Sequence, residues 1–328
     1  MPLPVERLRE LITSDASGWR KQSCVSLLDH SAARIRAVLE TAAELKAHDL
    51  QRKSTVFWDY PRTLAMLFQK SSLRTRVSFE VSMAHLQGHA VYLSPDDVGL
   101  GIRESVEDVA HGLSRWVDAI TARVYQHTMV TGLAEHASVP VINALSDQEH
   151  PIQAFADLLT LQEHCGPLGN ERHLAYVGDG NNVLHALLIG CTKLGVNISA
   201  AYPKGYEPSS DYVNAAMREA KATGAKVTLT HDPAEAVSGA EAIYTDVWAS
   251  MGQEHEKDER AAIFAPYQVN STLLAKAGAG AIAMHCLPAH RDEEISSEVM
   301  ALHNAVIFDQ AENRLHTQKA LLLLILGL

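Results

Sequence analysis

Apolar positions along this chain recur at two periods, and each period predicts a kind of element. Ile35, Val38, Leu39, Ala42 and Leu45 repeat at helical spacing behind a cap at Asp29 or Ser31, so the first 60 residues read as helical. Residues 63–68 form an apolar run of strand length. A polar turn over 69–72 follows, and then a helix with Val77, Val81 and Ala84 on one face. Gly88 ends that helix, and residues 90–94 read as the next strand. Strand, turn, helix and strand in succession is the βαβ unit of a parallel sheet.

The second half repeats the order. Residues 174–178 read as a strand, 179–182 as a turn, 183–194 as a helix stopped by Gly195, and 196–202 as the next strand. Further strands fit at 226–230, 242–247, 281–286 and 305–308, mostly with helical stretches between. The expected class is α/β, with two doubly wound parallel-sheet domains and helices on both faces. A chain of 328 residues is long enough for two such domains at ~150 residues each. Ligands of such sheets bind beyond the carboxyl ends of the strands.

Composition narrows the partners. Lys+Arg number 28 against 39 Asp+Glu, a net charge of -11. That disfavours nucleic acid and anionic membranes as general partners, while leaving room for one basic pocket. The most apolar stretch, 320–328, is far short of the ~20 residues that span a bilayer. Glu6, Arg7, Arg9 and Glu10 stand where a signal peptide needs an apolar run. Cys24, Cys165, Cys191 and Cys286 form no CxxC pair, no disulfide framework and no zinc spacing. A cytoplasmic protein with reduced thiols is expected.

The chemistry-bearing residues gather at strand ends. Ser72-Leu73-Arg74-Thr75-Arg76 opens a helix, whose N-terminus offers free N–H groups and partial positive charge to an oxyanion. Its hydroxyls and guanidiniums add donors. An ordinary helix start with solvated arginines explains the same residues about equally well. Arg123 follows the apolar run 117–122, with a surface salt bridge as the plainer reading. In His150-Pro151-Ile152-Gln153, Pro151 suits a first helical turn. A neutral His there can donate to a carbonyl oxygen and Gln can accept from an amide, or the motif is only a cap.

Gly178-Asp179-Gly180-Asn181-Asn182 invites a dinucleotide reading, but Val183 stands where the third glycine belongs. The next strand ends in Ala201-Tyr202-Pro203 with no acid for a ribose, so a nicotinamide cofactor is discounted. Asn181 and Asn182 remain candidates for a polar small molecule. Asp246-Val247-Trp248, then Ser250-Met251-Gly252, sets a carboxylate beside a turn, suited to an amino acid zwitterion or to simple punctuation. Cys286, in His285-Cys286-Leu287-Pro288, can be a nucleophile, an orienting group or a buried thiol. Glu312-Asn313-Arg314 precedes the last helix, its Arg reaching a cleft or pairing with Glu312. Singly these motifs are weak, but the plain readings leave their concentration at strand ends unexplained.

In this order, over nearly the whole chain, Ser-x-Arg-Thr-Arg, His-Pro-x-Gln, Asp-x-Trp-x-Ser-Met-Gly and His-Cys-Leu-Pro resemble the aspartate/ornithine carbamoyltransferase family. The last two resemble its ornithine branch. The resemblance implies carbamoyl transfer from carbamoyl phosphate to the δ-amine of L-ornithine, giving L-citrulline and phosphate in arginine metabolism. N-acetylornithine, N-succinylornithine and putrescine are the alternative acceptors. It implies that Ser72, the Leu73 amide, Arg74, Thr75 and Arg76 hold the phosphate, and that Thr75, Arg123 and His150 polarise the carbamoyl oxygen. Gln153 would hold the carbamoyl amide, with Arg314 and Leu287 on the donor side. Asn182, Asp246, Ser250 and Met251 would bind the α-amino and α-carboxylate groups of ornithine, with Cys286 and the Leu287 carbonyl beside the attacking amine.

The resemblance further implies a donor domain over 1–152, an acceptor domain over 153–311, and a C-terminal helix, 312–328, returning to the first. It implies a homotrimer or a multiple of trimers, with no metal and no organic cofactor. Three positions depart from the family pattern. Leu73 replaces a usual Thr, Gln69 a common Glu, and Gly99 a Gln or His that reaches the neighbouring subunit. Arg103 is expected to substitute for that contact.

Overall fold

The computed structural model describes residues 5–50, 58–249 and 254–328. The chain forms two compact units, one of residues 1–156 with 312–328 and one of residues 157–311.

Among the described residues of the first unit, four parallel strands form one sheet: β1 (Thr63–Phe68), β2 (His89–Leu93), β3 (Ala119–Arg123) and β4 (Val141–Leu145), in the order β2-β1-β3-β4. The central strands are buried along almost their whole length, so they read as continuous apolar runs. Leu67, Ile120, Ala122, Val130 and Leu133 belong to the core beneath the sheet. The second unit holds β5 (His173–Val177), β6 (Asn197–Ala201), β7 (Val227–Thr230), β8 (Ala242–Thr245) and β9 (Ile282–His285), all parallel, in the order β7-β6-β5-β8-β9. Helix Asn182–Lys193 is buried on every side from Val183 onward. That burial explains its lack of a polar face.

Strand order creates a crevice in each unit. The first sheet reverses direction of growth between β1 and β3, and the second between β5 and β8. Helices leaving the two strands at such a point go to opposite faces, which opens a gap at the carboxyl ends.

Four expectations need correction. Residues 305–308 form no strand: Ala305 makes a single bridge to Ala283, and helix Ile307–Leu326 starts two residues later. Glu312, Asn313 and Arg314 therefore lie inside the last helix, not before it. Helix Leu73–His85 buries Thr75, Phe79, Ser82 and Met83, whereas Val77 is exposed. Three aliphatic residues at helical spacing had suggested the opposite face. The first 60 residues are not uniformly helical, since Cys24 makes a parallel bridge to Ile142 beside β4. Helix Ala32–Leu50 does form, with Ser31 Oγ accepting from the Arg34 N–H at 3.3 Å. No helix among the described residues is long and apolar enough to cross a membrane.

Candidate active site

In the first unit, the switch point between β1 and β3 is lined by the chain leaving each strand. Ser72 is the N-cap of helix Leu73–His85, its Oγ accepting from the Thr75 N–H at 3.3 Å. The Leu73 side chain is exposed, so its hydrophobicity costs the site nothing and its N–H remains one of the donors a first turn leaves over. Thr75 is buried, and its Oγ1 accepts from Arg314 Nη2 at 3.1 Å. Nη1 of the same guanidinium donates to Gln153 Oε1 at 2.5 Å. Because Thr75 Oγ1 receives the Arg314 proton, its own O–H proton is left for another acceptor. Three distant segments thus meet through one arginine.

His150 immediately precedes helix Pro151–Cys165, whose first residue is the proline. Burial pushes its imidazole well below the usual value, and the charges of Arg314, Arg123, Lys70 and Arg74 push it further down. The ring is therefore neutral, and its buried Nδ1 has no hydrogen-bond partner among the described residues. Arg123, the last residue of β3, is buried. The cluster is a basic, largely desolvated pocket that favours an oxyanion.

Two residues change standing here. Arg76 is exposed, pairs with Glu80 at 2.9 Å and lies 3.8 Å above the Tyr92 ring. Residues two apart on a helix point to different sides, so Arg74 acts on His150 and Arg76 does not. Lys70 was missed by the motif reading. Burial and then the Arg123 charge hold its ammonium down to about 8, against an opposing pull from Asp147. The signal available in the sequence was its place in the loop between β1 and Ser72.

In the second unit, Asn181 follows β5 and Asp246 follows β8, across the switch point. Asn181 caps helix Asn182–Lys193 by accepting from the N–H groups of Val183 and Leu184, and its Nδ2 donates to Asp246 Oδ2 at 2.8 Å. It orients the buried carboxylate, and Asn182 is the first residue of the helix it caps. Gly180 has a different purpose from a nucleotide glycine. A Cβ there would lie 2.3 Å from the Pro208 nitrogen, so the loop over 206–208 excludes any side chain. The Cys286 thiol donates to Asp246 Oδ1 at 2.9 Å. Burial, and then that carboxylate, push the thiol well above its usual range. Cys286 is thus an orienting donor, and the nucleophile reading is dropped.

Leu287 has a φ of 59° and donates its N–H to His285 Nδ1 at 2.8 Å. Arg260 ties Asp179 to the Trp248 carbonyl. Ser250 and Met251 lie outside the described residues. Gly99 closes the helix Pro95–Val98 in the left-handed region, which disfavours the Gln or His of the family pattern, and Arg103 Nη2 is engaged by the Asp97 carbonyl of that same turn.

Metal-type donors lie close together at Asp246, His285 and Cys286. Both His285 nitrogens already have partners, Leu287 N–H and Glu294, and Cys286 already serves Asp246. A metal there would need those bonds broken.

Each α/β unit thus carries its charged and polar side chains at its own switch point, a basic cluster in the first and an oriented carboxylate in the second. The chain belongs to the aspartate/ornithine carbamoyltransferase family. Residues 22–163 match the family's carbamoyl-P binding domain and residues 170–325 its Asp/Orn binding domain. It is 51% identical over 301 residues to the anabolic ornithine carbamoyltransferase of Pyrococcus furiosus, covering 92% of this chain and 95% of that one. It is 52% identical over 302 residues to the ornithine carbamoyltransferase of Bacillus subtilis, covering 92% and 93%. A solved structure of the Pyrococcus furiosus enzyme aligns with a TM-score of 0.91 at 50% identity, covering 94% of this chain and 98% of that one.

Proposed function

We propose that this chain transfers the carbamoyl group of carbamoyl phosphate to the δ-amine of L-ornithine, giving L-citrulline and phosphate. The neutral amine attacks the carbonyl carbon, a C–N bond forms and the C–O bond to phosphate breaks. Charge grows on the carbonyl oxygen, where Arg123, the Thr75 hydroxyl and neutral His150 donate to it. Gln153 accepts from the carbamoyl NH2 with the lone pair that Arg314 leaves over. Phosphate departs onto Ser72, the Leu73 N–H, Arg74 and Lys70, and takes the proton the amine loses. No side chain is acylated, and orientation with preset charge supplies the acceleration.

On the acceptor side, Asp246 takes the α-ammonium, Asn182, Ser250 and Met251 complete the α-amino and α-carboxylate contacts, and Cys286 with the Leu287 carbonyl lies beside the δ-amine. A donor domain of 1–156 with 312–328 and an acceptor domain of 157–311 go with this assignment, which keeps Gln153 on the donor side.

The observation that carries the reading is the Thr75–Arg314–Gln153 hydrogen-bonded chain beside a neutral His150. The test is a citrulline-type ureido assay with carbamoyl phosphate and a panel of ornithine, N-acetylornithine, N-succinylornithine, putrescine and aspartate. Ornithine should lead N-acetylornithine and N-succinylornithine by about a hundredfold in kcat/KM, since an unpaired buried carboxylate penalises acceptors without the free ammonium. An acylated acceptor equal to ornithine overturns the role of Asp246.

We extend the proposal to a homotrimer, or a multiple of trimers, in the cytoplasm. Exposed apolar side chains at Leu73, Val77, Ile102 and Trp116 and four free thiols support it. Light scattering should give three times the 35.8 kDa chain mass, or a multiple of that, and a monomer would reject it.

A further inference from the structure

The Leu287 carbonyl is assigned above to the attacking amine, yet Leu287 sits at a φ of 59°, a region that β-carbon-bearing residues seldom occupy. Something must hold it there. Its N–H donates to His285 Nδ1 at 2.8 Å. A ring nitrogen that accepts carries no proton, so the neutral imidazole has its proton on Nε2. That nitrogen lies 3.0 Å from Glu294 Oε1 and donates to it. The same carboxylate oxygen accepts from the His290 N–H at 2.6 Å. Glu294 thus closes the loop over 285–294 on itself, and neither its side chain nor that of His285 is exposed to solvent. The His285 backbone is fixed in turn, its N–H donating to Gln310 Oε1 at 2.9 Å while Gln310 Nε2 donates to Asp157 at 2.7 Å.

We propose that His285 and Glu294 are positioning residues for carbamoyl transfer: Glu294 sets the tautomer of His285, and His285 Nδ1 holds Leu287 in its left-handed conformation so that its carbonyl meets the acceptor amine. The inference rests on the ornithine reading and on the assignment of Leu287. Neither residue touches substrate. A buried partner that orients a contacting group commonly governs activity by about 10- to 100-fold.

Two substitutions at one position separate this role from packing. His285→Asn keeps an acceptor oxygen where Nδ1 stands and gives up Glu294. His285→Gln keeps a polar group within reach of Glu294 and gives up the acceptor for Leu287. The wild-type protein is assayed first, and citrulline formation there tests the ornithine reading alone. The variants are then compared in kcat/KM for ornithine at saturating carbamoyl phosphate.

The expected result is a loss of at least about thirtyfold for His285→Gln and within about fivefold for His285→Asn, within the range of such orienting partners. The Leu287→Gly background adopts positive φ without cost. In it, His285→Gln should lose less than about a third of what it loses in the wild-type background, a coupling that a double-mutant cycle reads directly. Equal losses for the Asn and Gln variants, or an undiminished loss in the glycine background, overturn the proposal. Should His285→Gln fail to fold, Glu294→Asp and Glu294→Gln replace it. Gln keeps an oxygen at the Oε1 position and should stay within about threefold, while Asp withdraws it and should lose at least about tenfold. Equal behaviour of these two also overturns it.

Discussion

Arg314 Nη2 donates to Thr75 Oγ1 across 3.1 Å, although 239 positions separate the two residues in the chain. Its Nη1 reaches Gln153, so one planar fork organises two groups assigned to the donor. Lysine keeps the charge but cannot span both acceptors. Arg314→Lys should therefore lower kcat on the order of a hundredfold, comparable to removing an oxyanion donor. Steady-state citrulline formation within about threefold of wild type would remove Arg314 from the site.

The two arginines of the 72–76 motif should behave differently. Arg74 adds to the charge acting on His150, whereas Arg76 pairs with Glu80 and stacks on Tyr92 in solvent. Arg74→Ala should raise the KM for carbamoyl phosphate at least about tenfold, and Arg76→Ala by less than about threefold, because exposed pairs contribute little. Equal effects of the two would restore Arg76 to the phosphate cradle.

Lys70 predicts a pH dependence. Its ammonium is held down to about 8 by burial and by Arg123, so it is charged below that pH and neutral above it. Its attraction for an anionic donor is present at pH 7 and fades between pH 7 and 9. Lys70→Met should then reduce kcat/KM for carbamoyl phosphate about tenfold at pH 7, and the gap from wild type should close by pH 9, since this parameter reports free-enzyme groups. A gap of constant size across that range refutes the charge role.

The thiols should be unreactive. Burial pushes Cys24, Cys191 and Cys286 well up and holds Cys165 at about 11, and only thiolate is alkylated readily. Mass spectrometry after iodoacetamide at pH 7 should find the native protein essentially unlabelled while glutathione in the same tube is consumed. Cys286→Ser keeps a proton for Asp246 and should retain more ornithine kcat/KM than Cys286→Ala. The reverse order would argue against the thiol as donor to that carboxylate.

Stability in the first unit depends on a buried lysine and its partly exposed partner. Lys319 Nζ lies 2.7 Å from Asp49 Oδ2 with no exposure of the lysine side chain. Burial raises the Asp49 carboxyl, but hydrogen bonds from His316 and Lys319 outweigh it and hold the group at about 2. A lowered carboxyl contributes stability above its unfolded value near 4 and loses it as pH falls toward 2. Asp49→Ala leaves Lys319 buried and unpaired, which should cost about 3–5 kcal/mol and lower Tm on the order of 10 °C. A calorimetric shift under about 2 °C would contradict a stabilising role for this pair.

Local patterns carried much of this molecule. Apolar runs marked β1 and β5 to within a residue or two, and capping chemistry at Ser31 marked the helix Ala32–Leu50, because these depend on neighbours a few positions apart. The ordered motifs 72–76, 150–153, 246–252 and 285–288 carried the family likeness and the direction of the chemistry. Tertiary structure decided what depends on contacts between distant segments. It put Arg314 inside a helix and onto Thr75, turned Val77 outward and Phe79 inward, spent Asn181 on Asp246, and brought Lys70 among the arginines. Strand order, which places both crevices, is set by which buried faces pack together, and no local run of residues encodes that choice.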